Sequence, residues 1–221
     1  DLVYSQTDYT HTVPVCWRCH TRLIFSPQDA WFIKVESLKK KLLQNNEDIY
    51  WFPHHLKAGR FKKGIESAPD WCISRSRYWA TPMPIWICQG KDSSQKFLDE
   101  KNTSKIGCGN MVVVGSVKEL EQLTHKKVAD LHRPYIDQFS FPCNQCSGQM
   151  ERIPEVMDSW MDAGSMPYAQ RHYPFEHKKE FEASFPADYI VEYVPQTRAW
   201  FYVLHVLSTA LFNSHGFKNV I

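Results

Sequence analysis

Polar and apolar residues fall into a helical period over "SPQDAWFIKVESLKKKLLQNN". Ser26 and Pro27 suit a cap and a first helical position, and Phe32, Val35, Leu38 and Leu42 follow at the spacing of one face, so the pattern predicts a helix opening at Ser26. The Lys39-Lys40-Lys41 run then reads as a solvated face. "MVVVGSVKELEQL" predicts a strand, a turn and a helix, with Ser116 and Glu119 forming a capping box. Near the end, "ADYIVEYVPQTRAWFYVLHVLSTALF" begins with a short apolar run, Tyr189-Ile190-Val191, that stops at Glu192. Pro195 fits a first helical position, whose amide has no intrahelical partner in any case. Trp200, Leu204, Leu207 and Leu211 recur at helical spacing and predict a face docked on a sheet. Pro82 and Pro84 predict an extended segment, and from Met150 onward strands alternate with helices, which predicts parallel α/β architecture.

Composition changes this picture little. A hydrophobic content of 43% and a charged content of 23% in 221 residues are ordinary for globular domains. The formal net charge of +2 gives no global field for polyanions, so a nucleic-acid contact needs a local patch. Lys57, Arg60, Lys62, Lys63, Arg75 and Arg77 form one candidate patch in an aromatic and proline-rich stretch; a mixed surface is the alternative. No apolar run approaches the roughly 20 residues that span a bilayer, and "DLVYSQTDYT" is neither basic nor apolar enough for a signal peptide. The expectation is a cytoplasmic protein without membrane contact. The lack of an initiator Met and the strand-like close "GFKNVI" predict a piece of a longer chain.

Seven cysteines, an odd count without a signal peptide, argue against a disulfide framework. Cys143 and Cys146 have the C-x-x-C spacing that lets two thiolates and nearby amides wrap one tetrahedral ion. Cys88 and Cys108 read as a knuckle split by the polar insert "QGKDSSQKFLDEKNTSKIG", with Gly90, Gly107, Gly109 and Gly148 suited to tight turns. The expectation is one closed site of Cys88, Cys108, Cys143 and Cys146, structural because four thiolates leave no position for water; unliganded thiols in a loop-rich region are the alternative. Cys16 and Cys19 make a half-site whose other ligands lie upstream or are His20 and His11. Cys72 reads as a small packed residue.

Ligands of open parallel sheets sit at the carboxyl ends of strands, and Glu192 stands at such an end, with Gln196 and Thr197 at a positive helix terminus; a plain strand–helix unit with an exposed loop charge is the alternative. Asp158 and Asp162 flank Trp160 at a spacing that caps and salt bridges serve equally. His132 and His172 read as structural hydrogen bonders.

"PDWCISRSRYWATPMPIW", "LHRPYID", "VMDSWMDAGSMPYAQRHYPFE" and "FPADYIVEYVPQTRAWFYVLHVLSTALF" resemble, in this order, the second half of isoleucyl-tRNA synthetases, class I enzymes that activate isoleucine with ATP and load it on tRNA. The resemblance covers nearly the whole chain. It implies an α/β fold: the second half of a Rossmann-like parallel-sheet catalytic domain with an inserted zinc-binding knob. Residues 1–20 would end the editing insertion and hold the zinc half-site. Residues 21–87 would return into the catalytic domain, 88–148 would be the zinc insertion, and 149–221 the Rossmann-like portion. The resemblance implies that Glu192 and Gln196 bind the aminoacyl adenylate, while Trp160 and Trp200 wall the amino-acid pocket. The implied metal is structural Zn2+, and ATP with Mg2+, isoleucine and tRNA(Ile) are the implied substrates of a full chain that acts as a monomer. No residue here is expected to be a catalytic nucleophile or base, because activation works by positioning and charge stabilisation.

The family usually has Gly at Tyr193, Asp at Pro195 and Gly at Ala199, and also Gly at Ala80 and Phe at Met161. Its two ATP signature segments, His-Ile-Gly-His-like and Lys-Met-Ser-Lys-Ser-like, are absent from these residues, so the 221-residue piece is expected not to form adenylate alone. Two other classes remain at this point: a non-catalytic zinc-containing RNA-binding module built from stretch 51–79 and the knob, which predicts neither signature motif in flanking sequence, and a sister valyl or leucyl synthetase, which amino-acid dependence of activation would separate.

Overall fold

The structure is a computed structural model that describes residues 2–90, 96–98 and 104–221; the rest of the polar insert between Cys88 and Cys108 lies outside the described residues. In chain order come β1 (Phe32–Ile33), a 3-10 turn (Val35–Leu38) running into α1 (Lys39–Glu47), β2 (Tyr50–Trp51), and a π-helical turn (Lys57–Phe61) running into α2 (Lys62–Ser67). There follow β3 (Trp71–Cys72), β4 (Ser74–Arg75), β5 (Ile85–Cys88), β6 (Lys96–Leu98), β7 (Ser104–Ile106), β8 (Met111–Val113) and α3 (Val117–Thr124). After a 3-10 turn (Ile136–Gln138) come β9 (Phe141–Pro142), β10 (Gln149–Arg152), β11 (Val156–Met157), α4 (Ser159–Ala169) and α5 (Lys178–Ser184). A 3-10 turn (Val194–Arg198), α6 (Trp200–Phe212) and β12 (Asn219–Val220) close the chain.

The capping box forms as its spacing predicts. Ser116 Oγ accepts from the Glu119 amide at 3.1 Å. The Glu119 carboxylate reaches back one residue further than the usual box, to the Gly115 amide at 2.8 Å. The helix expected from Ser26 starts instead at Val35. Phe32 and Ile33 are drawn into an antiparallel pair with Cys72 and Trp71, and the Trp31 amide donates to Ser74 Oγ at 2.9 Å. This long-range pairing overrides the local period, and Ser26 and Pro27 cap nothing.

The largest sheet among the described residues is antiparallel, in the order β8-β5-β10-β9, with Cys88 opposite Met150 and Ile85 opposite Val113. The expectation of parallel architecture from Met150 on is met only along one short edge. There β12 pairs in parallel with β2, and parallel bridges join Ala187 to Phe217 and Ile190 to Val220. β10 itself belongs to the antiparallel sheet, because it pairs with β5 and β9 around the cysteine region.

Two main cores result. The first gathers Val35, Leu42, Trp51, Phe61, Ile65 and Phe217 around α6. In α6, Phe201 and every residue from Val203 to Thr209 are buried, wider than one amphipathic face. Leu204 and Leu207 are buried, but Leu207 lies against Gly164 of α4 rather than on a sheet, and Leu211 is 58% exposed past the covered turns. The second core lies against the antiparallel sheet and joins Trp86, Leu120, Ile136, Phe141 and Met150 to Cys88 and Cys143. Among the described residues no helix is long and apolar enough to cross a membrane.

Candidate metal centre and strand-end site

β5 delivers Cys88 at its end, and the turn between β9 and β10 carries Cys143 and Cys146, closed by the Cys143 amide donating to the Gly148 carbonyl at 2.9 Å. Cys108 enters through a turn that needs glycine. Gly107 has φ +66°, and a Cβ there would stand 2.1 Å from the Cys88 carbonyl oxygen. The same crowding holds at Gly148, where a Cβ would meet the Gly90 carbonyl oxygen at 2.7 Å.

The four sulfurs that the sequence assigned together do come together, all within 4.8 Å of one another. Cys88 Sγ lies 3.4 Å from Cys146 Sγ, and Cys108 Sγ lies 3.6 Å from Cys143 Sγ. Backbone amides point at them: Gly90 donates to Cys88 Sγ at 3.3 Å, Gln145 to Cys143 Sγ at 3.4 Å, and Gly148 to Cys146 Sγ at 3.3 Å. Burial pushes the Cys143 thiol up, but the Gln145 amide and the Asn110 side chain outweigh it and bring it down to about 6. The Gly148 amide favours the Cys146 thiolate, yet the neighbouring Cys88 and Cys108 sulfurs, with burial, push it up to about 12. Four thiols crowded this closely, with amides aimed at their sulfurs, suit one shared cation, which favours the thiolate at every position. These four residues can hold a metal ion in a closed, all-sulfur set.

The other pair stands apart. Cys16 and Cys19 sit in a hairpin turn in which Val15 bridges Arg22 and the His20 amide donates to the Cys16 carbonyl at 2.8 Å. The Thr21 hydroxyl and amide hold the exposed Cys19 thiol down, to about 7. Among the described residues no third ligand joins them. His20 serves the turn, at φ +59°, and His11 bonds the Thr12 carbonyl at 3.2 Å, so neither histidine completes the half-site. Cys72 is partly buried, with its carbonyl bound by Arg75 Nη1 at 2.9 Å.

At the strand end, the parallel bridge of Ile190 with Val220 leaves Glu192 exposed just beyond the paired residues. The Val194–Arg198 turn follows with Pro195 in its first positions, and the Ala199 backbone (φ −134°, ψ −106°) breaks it from α6. Gln196 Oε1 accepts from the Trp200 amide at 2.9 Å and so covers one of the free amides opening α6. Trp200 Nε1 donates to the Ala163 carbonyl of α4 at 3.0 Å. The two helices approach closely at Gly164, where a Cβ would lie 2.8 Å from Leu207 Cδ1 and 3.2 Å from the Val203 carbonyl oxygen. Asp158 caps α4, accepting from the Trp160 amide at 3.3 Å, and Trp160 is 40% exposed rather than a core residue. Gln196, Trp200 and Trp160 therefore gather on the openings of two packed helices, while Glu192 stays on the loop. None of these four lines the cavity of about 390 Å3 between α2, β3 and the start of α6, whose walls include Ser67, Asp70, Trp71, Arg75, Arg198 and Tyr202.

Several ties carried no sequence mark. The buried Asp158 carboxylate also accepts from Trp71 Nε1 at 3.0 Å and Arg75 Nη2 at 2.8 Å, which welds "DWCISR" to α4. Thr197, 1% exposed, accepts from Arg60 Nε at 3.1 Å. Asp137 receives Arg133 at 2.8 Å and Arg152 at 2.5 Å; burial pushes this carboxyl up, but the two guanidinium groups hold it below the usual range. The cap and the salt bridge that the sequence left as equal readings for Asp158 both form; its partners, 87 and 83 residues away, could not be read.

Residues 6–221 match the family described as tRNA synthetases class I (I, L, M and V). The chain is 43% identical over 223 residues to an isoleucine–tRNA ligase of Clostridium kluyveri, covering 100% of this chain and 20% of that protein. It is 48% identical over 219 residues to an isoleucine–tRNA ligase of Chlamydia abortus, covering 99% and 19%. The chain thus spans about a fifth of the length of the curated relatives it matches. A crystal structure of a ternary LeuRS–tRNA–LeuAMS complex from Agrobacterium radiobacter K84 aligns with a TM-score of 0.44 and 20% identity, over 68% of this chain and 18% of that one.

Proposed function

Because the chain belongs to the class I tRNA synthetases of the isoleucine, leucine, methionine and valine group, we propose that it is part of an isoleucine–tRNA ligase. The observation that carries this reading is the 43–48% identity to proteins of that name along the whole chain. In the proposed reaction an isoleucine carboxylate oxygen bonds to the α-phosphorus of ATP, pyrophosphate leaves, and the aminoacyl group then passes to tRNA(Ile). Magnesium accompanies the ATP. The enzyme acts in the cytoplasm as a monomer.

The residues take the roles that the geometry can support. Residues 149–221 contribute the Rossmann-like portion; the short parallel edge of Ala187–Ile190, β12 and β2 supports this. Glu192 meets the ammonium or ribose of the adenylate at the strand end. Gln196 spends its carbonyl oxygen on α6, which leaves its amide nitrogen to donate to the ligand. Trp160 and Trp200 wall a branched aliphatic side chain, and one methylene between isoleucine and valine is worth roughly 1–3 kcal/mol there. Residues 21–87 lead into this portion, and residues 1–20 close an editing insertion that removes valine.

Zinc is the proposed metal of Cys88, Cys108, Cys143 and Cys146 in the insertion 88–148. A tetrahedral ion with Zn–S bonds of about 2.3 Å sets sulfurs roughly 3.8 Å apart, within the spread seen here. It supplies a folding constraint and no chemistry. Zinc at Cys16 and Cys19 needs two ligands from outside the described residues.

The test uses the full-length protein and its Glu192→Gln variant. The proposal expects isoleucine-dependent charging of tRNA(Ile) by the parent and a loss on the order of 10–100-fold in the variant, from about 1.5–3 kcal/mol for a charged hydrogen bond. An unchanged rate removes Glu192 from the site; charging with another amino acid in preference overturns the reading.

A further inference from the structure

We propose that the groove between the Lys57–Phe61 turn and the Val194–Arg198 turn is a phosphate track for an RNA strand. Its volume is about 520 Å3, and its walls bring together His55, Arg60, Lys63 and Arg198 with no carboxylate among them. The structure sorts the basic stretch that the sequence left undivided. Lys57 is spent on Glu47, through its carbonyl at 2.6 Å and its carboxylate at 3.4 Å, and Arg75 on Asp158. Arg60 is different. Buried Thr197 holds its Nε, and the Thr197 hydroxyl is itself fixed by donating to the Val194 carbonyl at 2.7 Å. That bond orients the guanidinium and leaves its two terminal nitrogens for a phosphate. Gly59, beside Arg60, bears no side chain over the groove floor, and nothing stands within 4 Å of where its Cβ would be.

Arg198 lines both this groove and the neighbouring cavity of about 390 Å3, whose other arginine, Arg75, is held by Asp158 at 2.8 Å, so Arg198 is the cation the two share for a ligand. Asp70 is the one carboxylate on that second wall, and it accepts from the Glu36 amide at 3.0 Å. Two adjoining cavities sharing an arginine suit successive phosphates of a strand better than one small anion. With a net charge of only +2, the attraction is local to this track.

The choice of RNA rests on the proposed function, so the test separates the two. Binding of a tRNA(Ile) transcript and of poly(U) to the full-length protein is followed by fluorescence anisotropy from low to high salt. Lys63→Gln with Arg198→Gln should weaken both about tenfold or more and lower the log–log salt slope by about 1–2, with melting temperature unchanged. Lys40→Gln with Lys41→Gln, on the exposed face of α1, should change neither. An unchanged slope, no binding of either RNA by the parent, or displacement by inorganic pyrophosphate at equal phosphate concentration would overturn the track. Loss of poly(U) binding in the double variant of a protein that activates no amino acid would keep the track and reject the synthetase reading.

Discussion

The α6 core and the cysteine-bearing sheet use opposite means to reach the same order. α6 is covered along nearly its whole length, with only Trp200, Tyr202 and its last turn outside the dense packing, so apolar burial is the main thing that holds it. The sheet β8-β5-β10-β9 has a smaller core, and two of its buried members, Cys88 and Cys143, are also thiols of the metal set. Removing a metal there subtracts from the core as well as from the ligand set. With the proposed zinc bound, a region short of apolar area would draw stability from a ligand, while a region rich in it tolerates buried polar groups such as His205 and Asn46.

Chelation should break this comparison most sharply. Structural zinc sites contribute on the order of 10 kcal/mol at neutral pH, so chelator, or Cys143→Ser, should abolish amide protection over residues 107–152 and spare α6. Hydrogen exchange read by mass spectrometry decides it; equal loss in both regions would contradict the two-part account.

The reverse probe is acid. His205 is fully buried, Nε2 bonded to the Leu42 carbonyl at 2.9 Å and Nδ1 without a partner among the described residues. Burial, with His215 adding to it and the Leu42 carbonyl opposing, pushes its pKa down to about 4. The folded state therefore keeps His205 neutral while the unfolded chain takes up a proton below about 6.5. Its contribution is intact above that value and falls by about 3 kcal/mol as pH drops toward 4. Urea unfolding at pH 7 and pH 4.5 should show this slope in the parent and a flatter one in His205→Leu.

Gly164→Ala should cost about 1–3 kcal/mol, because the added Cβ collides with Leu207 and the Val203 carbonyl and forces α4 off α6. Thermal unfolding measures it, with the cysteine sheet protected as before. Smallest is Ser116→Ala, about 1 kcal/mol from the lost cap of α3, read as faster exchange at the amides of that helix alone.

The same division governs what the sequence made legible. The cysteine quartet was readable because thiol count, spacing and flanking glycines all serve one local chemistry, and the Ser116 cap was readable because it spans three residues. α6 was readable as a helix, but a period could not tell that its cover stops before Leu211. β1 escaped because Phe32 fits a helix face and a strand equally well, and only Cys72, 40 residues on, decides between them. Gln196 at a helix start and Trp200 on the helix were legible from the pattern, whereas their ligand roles, and that of Trp160, came only from the resemblance. The hold of Thr197 on Arg60 has no local trace at all, since 137 residues separate the two.

The most direct measurement is isoleucine-dependent pyrophosphate exchange by the full-length protein, with isoleucine, valine and leucine compared at equal concentrations. Preference for isoleucine is the predicted result, and it makes Tyr193, Pro195 and Ala199 working variations of the strand-end site. No exchange with any of the three, in a folded and zinc-replete protein, would contradict the account and show that these residues have closed the pocket.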